Sequence, residues 1–201
     1  MSAHSDIVAG MVKIIERKRA SALPPDERRS AIIEATLPLL LENAEMVTTR
    51  QIAEASGIAE GTIFRVFADK DEVITAVIDA AVDPAPMEEA LDQLDAAAPL
   101  ERVLTLAIAI LQRRTIEVWR LMSSVGPRFH DRVRRPMTDS PALVAIFRAH
   151  RDEIAIDPVA AGRYLRALAL STSHPMMTEE PMPPKKIAAL FLHGVRERPP
   201  C

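Results

Sequence analysis

Apolar residues recur along this chain at three- and four-residue intervals, and nowhere do they alternate in the two-residue rhythm of a half-buried strand. Ile7, Met11, Ile14 and Lys18, with Val8 and Ile15 beside them, mark a short amphipathic helix around Arg17-Lys18-Arg19. Pro24-Pro25 break the chain, and Asp26-Glu27 open a second helix with acids at its positive end. Its apolar positions Ile32, Ile33, Leu37, Leu40 and Leu41 are expected to be buried. Pro38 should kink it, because proline supplies no backbone donor. Thr48-Thr49-Arg50-Gln51 has the form of a capping box, Thr48 closing the helix start while Gln51 reaches back. The short helix it opens, Thr49 to Ala55, is stopped by Ser56-Gly57. A third helix starts near Ala59, with Thr62 and Arg65 outward and Ile63 and Phe67 inward. Asp69 and Glu72 form a second box, and the helix that follows buries Val73, Val77 and Ile78.

Beyond Asp83-Pro84-Ala85-Pro86 the helices lengthen. Leu104, Ile108, Leu111, Thr115, Val118 and Met122 share a stripe that runs until Gly126-Pro127. Ser140-Pro141 starts a helix with Leu143, Ile146, Phe147 and His150 on one face. Asp157-Pro158 starts another that is rich in small residues, Ala160, Ala161, Gly162, Ala167 and Ala169. After a loop holding Pro175, Pro181, Pro183 and Pro184, a last helix carries Ile187, Leu190, Phe191, Gly194 and Val195. The fold class is all-α. Two short helices joined by a tight glycine turn near residues 49–67 are the pattern of a helix-turn-helix, which other helical bundles also contain.

Composition agrees. Of 201 residues, 48% are hydrophobic and 26% charged, enough apolar mass for a packed core, while aromatics are only 3% and Gly only 6 residues, too few for a typical sheet protein. The single Cys201 cannot form an intrachain disulfide. No signal peptide or membrane span is read, so no membrane partner is expected, and the chain is expected in the cytoplasm. The net charge of −3 advertises no nucleic-acid partner. Residues 26–79 hold five basic against eleven acidic side chains. DNA binding by that stretch therefore has to come from a few well-placed cations. His4, His130, His150, His174 and His193 are scattered without ligand spacing, so no metal site is expected. No glycine-rich phosphate loop or nucleophile motif is present, and neither an enzymatic activity nor a cofactor is expected. The run Arg128-Phe129-His130-Asp131-Arg132 with Arg134-Arg135 reads as a solvated loop. Met176-Met177 either lines a pocket or fills a gap.

From Thr48 to Ile74 the sequence TTRQIAEASGIAEGTIFRVFADKDEVI resembles the tetracycline-repressor (TetR) family. Ile52-Ala53, Gly57, Gly61-Thr62, Phe64, Phe67 and Lys70 fall in that family's register. Residues 84–201 resemble it only in being helical and of suitable length. The resemblance implies an N-terminal arm at 1–25, a helix-turn-helix DNA-binding domain at 26–82 and a helical effector-binding and dimerisation domain at 84–201. It implies a homodimeric transcriptional regulator, a repressor released from a palindromic operator by a small apolar effector. The alternative is a helical protein-interaction module whose DNA-binding half has decayed. Ala59 stands where the family often places a serine cap, and Arg65-Val66 where an aromatic and a histidine are frequent, which points to a different base preference.

On that resemblance the third helix enters the major groove, and Arg65, mid-helix, contacts guanine through two hydrogen bonds or else clamps a phosphate. Thr62 and Phe64 touch phosphate or a thymine methyl, beside Gly61. Glu60 serves helix-start electrostatics or accepts from a cytosine amine. Thr49, Arg50 and Lys70 hold phosphates, and Arg17, Lys18 and Arg19 form either an arm to the DNA or a solvated helix end. The effector is expected against Leu104, Ile108, Leu111, Trp119 and Met122, opposed by Phe147 and Tyr164, a lining with few charges, although each of these positions also suits ordinary core packing. Dimerisation is expected through residues 158–171 and 184–197, with small residues allowing close approach and the Ile187–Val195 stripe facing the partner.

Overall fold

In the computed structural model, residues 24–43, 46–127, 129, 131 and 138–195 are described. The expected N-terminal helix with Arg17, Lys18 and Arg19, most of the Arg128–Arg135 run, and residues 196–201 lie outside them. Among the described residues there are nine α-helices and no β-strand. They are α1 (Pro25–Asn43), α2 (Thr49–Ala55), α3 (Glu60–Ile63), α4 (Lys70–Val82), α5 (Ala85–Asp92), α6 (Leu100–Ser124), α7 (Pro141–Ala149), α8 (Pro158–Ser171) and α9 (Pro184–Val195). A turn of 3₁₀-helix at Arg151–Glu153 follows α7.

Two cores organise these helices. The first joins α1, α2, α3 and α4 around Ile32, Leu40, Ile52, Ile63, Phe67, Val73 and Ile78. It also takes in Leu121, Met122, Val125 and Phe129, so the C-terminal end of α6 and the residues after it pack against α1–α4. The expected boundary at residues 83–84 is therefore not where the first core stops. Only Ile32 and Leu40 of the expected α1 set are fully buried; Ile33 and Leu37 are half-buried and Leu41 is exposed. α1 runs unbroken through Pro38, with Thr36 fully buried and its hydroxyl donating to the Ile32 carbonyl at 2.6 Å.

The second core gathers α5, the first half of α6, and α7, α8 and α9. The sequence reading places no helix at α5. Proline is compatible with a first helical turn, however, and here it sits at the start of one whose Met87 and Leu91 are buried. The α5 residue Glu88 accepts from the Ser140 hydroxyl at 2.9 Å and the Ala142 amide at 3.1 Å. It thereby helps the Ser140 cap to start α7. Asp157 caps α8 through the amides of Val159 and Ala160, as expected.

Three of the small residues of α8, Ala161, Gly162 and Ala169, serve the protomer's own packing, while Ala160 is half-buried and Ala167 exposed. A Cβ on Gly162 would lie 3.5 Å from the Leu143 Cβ, so the close approach they permit is to α7. Part of the α9 stripe likewise faces inward, while Leu190 is 52% exposed. Ile187 and Ala188 are fully buried and Phe191 nearly so, its ring 5.7 Å from that of Phe147 and tilted 42° to it. Ile187 and Phe191 therefore belong to the core, and the expectation that they meet a partner is corrected.

Candidate nucleic-acid interface and effector cavity

Three backbone requirements, each met by a nearby residue, build the helix-turn-helix. Thr48 accepts from the Gln51 amide at 3.2 Å while Gln51 Oε1 accepts from the Thr48 amide at 2.9 Å, which completes the capping box. Gly57 then turns the chain at φ 67°, a left-handed conformation that costs a residue with a Cβ about 1–2 kcal/mol. α3 begins at Ala59 with no side-chain cap. In place of a cap, the Thr49 hydroxyl donates to Glu60, tying the starts of α2 and α3 together. Glu60 thus has an intramolecular partner, and Thr49 spends its hydroxyl on that partner.

α3 is shorter than the sequence suggests. It ends at Ile63 with Phe64 as C-cap, and the Arg65 and Val66 amides then bond three residues back, at 3.2 and 2.9 Å. The tightening follows from Phe67, whose burial at 2% exposure pulls the chain into the first core. Arg29 of α1 holds this turn from behind. Its guanidinium lies 4.3 Å from the centre of the Phe67 ring, donates to the Val66 carbonyl at 3.4 Å and reaches Glu72 at 3.7 Å. Arg65 is therefore not mid-helix. It projects from the turn after α3, exposed and without a side-chain hydrogen bond or ion pair among the described residues.

The remaining expected contacts differ in exposure. Phe64 is 51% exposed, a large ring with no core to enter. Thr62 is half-buried and Gly61 exposed, with open space around the position a Cβ would take. Arg50 is exposed and pairs with Glu54 at 3.0 Å across one turn, a pairing worth little in water. Asp69 caps α4 through the Glu72 amide at 2.8 Å, while Glu72 reaches past it to the Ala68 amide. Lys70 differs from expectation. It is half-buried, and its Nζ donates to the Val47 carbonyl at 3.0 Å, so it fastens the start of α4 to the residue before the α2 cap.

The expected effector residues separate into three groups. Leu104, Ile108 and Phe147 are fully buried in the second core and border none of the cavities described below. Tyr164, 59% exposed, borders instead a separate space of about 260 Å³ between α7 and α8, which Arg166 also lines. Leu111, Trp119 and Met122 do line a cavity of about 400 Å³, together with Met87, Arg114, Thr115, Val118, Arg166, Leu170 and His174. Trp119 stands edge-on to His174, ring centres 6.1 Å apart. The expectation of a lining with few charges is corrected, since two guanidiniums and an imidazole border this space. Sequence alone did not reveal them, because Arg114 and Arg166 are separated by 51 intervening residues and each resembles a surface arginine. A second cavity of about 360 Å³ lies between α1, α4 and α6, and Arg114 and Val118 border both.

Residues 32–77 match the family of bacterial regulatory proteins described as the tetR family. Solved structures extend the likeness over most of the chain. One, described as a TetR-family transcriptional regulator from Mesorhizobium loti MAFF303099, aligns with a TM-score of 0.64 at 16% identity over 87% of this chain and 100% of that one. A transcriptional regulator from Rhodococcus sp. Rha1 aligns with a TM-score of 0.53 at 14% identity over 88% and 100%. The superantigen PfiT aligns with a TM-score of 0.55 at 17% identity over 87% and 99%. At such identities the likeness shows the fold.

Proposed function

We propose, from the match of residues 32–77 to the tetR family of bacterial regulatory proteins, that this chain is a homodimeric repressor released from a palindromic operator by a small molecule held in the 400 Å³ cavity. The observation that carries this reading is the exposed group formed by Gly61, Phe64 and Arg65 at a helix pair whose Thr48, Thr49 and Glu60 side chains are engaged with one another's segments. Phe64 and Arg65 would be poor choices for a face that met only water. A helical glycine costs about 1 kcal/mol relative to alanine, and nothing in the protomer crowds Gly61. The reason for a missing Cβ then lies outside the protomer, in the close approach of a phosphate backbone. Half-sites about 34–36 Å apart, one helical turn, would let both copies dock.

For the dimer, α8 and α9 offer the exposed Tyr164 and Leu190, of which Leu190 is 52% exposed. Selection of bound sequences from a random duplex pool tests the DNA reading and reports the operator; a pool that returns no enriched palindrome sinks it. Gly61→Ala sharpens the test. The variant should unfold up to about 1 kcal/mol later than the parent while binding the selected operator more weakly. Operator affinity equal to the parent's would remove the argument from the glycine.

A further inference from the structure

We infer that the cavity takes an amphipathic organic acid, with its apolar part against Trp119, Met122 and Leu170 and its carboxylate on Arg114 and Arg166. The inference rests on the reading of this cavity as the effector site and narrows the chemistry of what it accepts. No acidic side chain lines the space. Both arginines have carbonyl partners and, among the described residues, no carboxylate at ion-pair distance. Arg114 Nη2 donates to the Asp83 carbonyl at 2.7 Å, and Arg166 Nη1 donates to the Thr138 carbonyl. A carbonyl satisfies one donor and neutralises no charge, whereas a guanidinium has five donors.

The acids near Arg114 are committed elsewhere. Glu117 is exposed and lies 3.6 Å from Arg113, and the Asp83 carboxylate accepts from the Ala85 amide at 3.0 Å. Burial accordingly lowers the Arg114 pKa, with the fields of Glu117 and Asp83 acting against it. A half-buried cation so placed gains most from an anion that arrives with its own apolar body. The planar fork suits a carboxylate through two parallel hydrogen bonds. His174 adds to this side. Its Nδ1 accepts from the Met176 amide at 3.3 Å, which leaves Nε2 carrying a proton. The volume of about 400 Å³ falls within the range of small-molecule sites. Because Asp83 is the C-cap of α4, an acid that draws Arg114 away from its carbonyl also loosens the corner where the DNA-binding helices meet the rest of the chain.

Trp119 is the chain's single tryptophan, so its emission reports occupancy of the cavity without DNA present. Titration calorimetry with decanoate and 4-phenylbutyrate, each against its neutral amide, supplies the affinities. The acids should bind about tenfold or more tightly than the amides, with a change in Trp119 emission. Arg114→Gln and Arg166→Gln should each reduce that preference while amide binding persists, and Arg114→Lys, which keeps the charge but loses the fork, should keep only part of it. Equal affinity for acid and amide overturns the inference, as does binding of neither at millimolar concentration. Variants that weaken acid and amide alike overturn it too, because they would show a damaged cavity and not a lost charge. Preferential binding of the acid that leaves operator-bound protein unchanged in a gel shift upholds the ligand class and counts instead against release of DNA by this cavity.

Discussion

Phe191→Ala should destabilise the protomer by about 3–5 kcal/mol, a large share of the whole stability of a domain this size. Phe191 is 5% exposed and packs on Phe147, which is fully buried between α7 and the rest of the second core. Removing the ring leaves a cavity bordered by buried aliphatic groups that cannot collapse without moving α9 off α6. One residue earlier, Leu190 is 52% exposed, and Leu190→Glu should leave protomer stability within about 0.5 kcal/mol while moving the sedimentation of the protein toward monomer. The two effects separate only when association is removed from the stability measurement, since a dimer that forms only when folded is stabilised by mass action. Urea unfolding of Phe191→Ala should therefore be compared with its parent in the Leu190→Glu background. A midpoint equal to the parent's would refute the core assignment of Phe191, and a Leu190→Glu variant that stays dimeric at micromolar concentration would move the interface off the outer face of α9.

On the DNA side, Arg65→Ala should cost on the order of 1–3 kcal/mol of operator affinity and relax preference at one position of each half-site. The side chain is exposed, carries no competing bond among the described residues, and projects from a turn held rigid by Arg29 and Phe67. Preorganisation of that kind is what a base contact needs. Lys70→Ala should weaken all sequences about equally. If Lys70 meets a phosphate with its remaining donors, the slope of affinity against salt should fall by about one. Should affinity drop with the slope unchanged, Lys70 acts through its bond to the Val47 carbonyl, by holding the start of α2 in place. Binding of both variants to a single-base operator library at several salt concentrations distinguishes these outcomes. Uniform loss across the library for Arg65→Ala would make Arg65 a phosphate clamp.

The parts of this protein legible in its sequence are those decided within four or five residues. The Thr48–Gln51 box, the left-handed Gly57, and the caps at Asp69, Ser140 and Asp157 all satisfy backbone groups of their own segment, and each stands where the pattern places it. The helix-turn-helix was readable because it is almost wholly made of such local solutions. What depends on distant neighbours was not readable. An apolar stripe announces a buried face without saying what buries it, so Ile187 and Phe191 of α9 and Ala161, Gly162 and Ala169 of α8 suggested a second chain and instead pack on their own protomer. For the same reason Leu104, Ile108 and Phe147 fill core while Arg114 and Arg166 border the cavity. The residue types were legible. Which faces meet was set by tertiary packing, where helices far apart in sequence share the same few ångströms and only one arrangement fills the space.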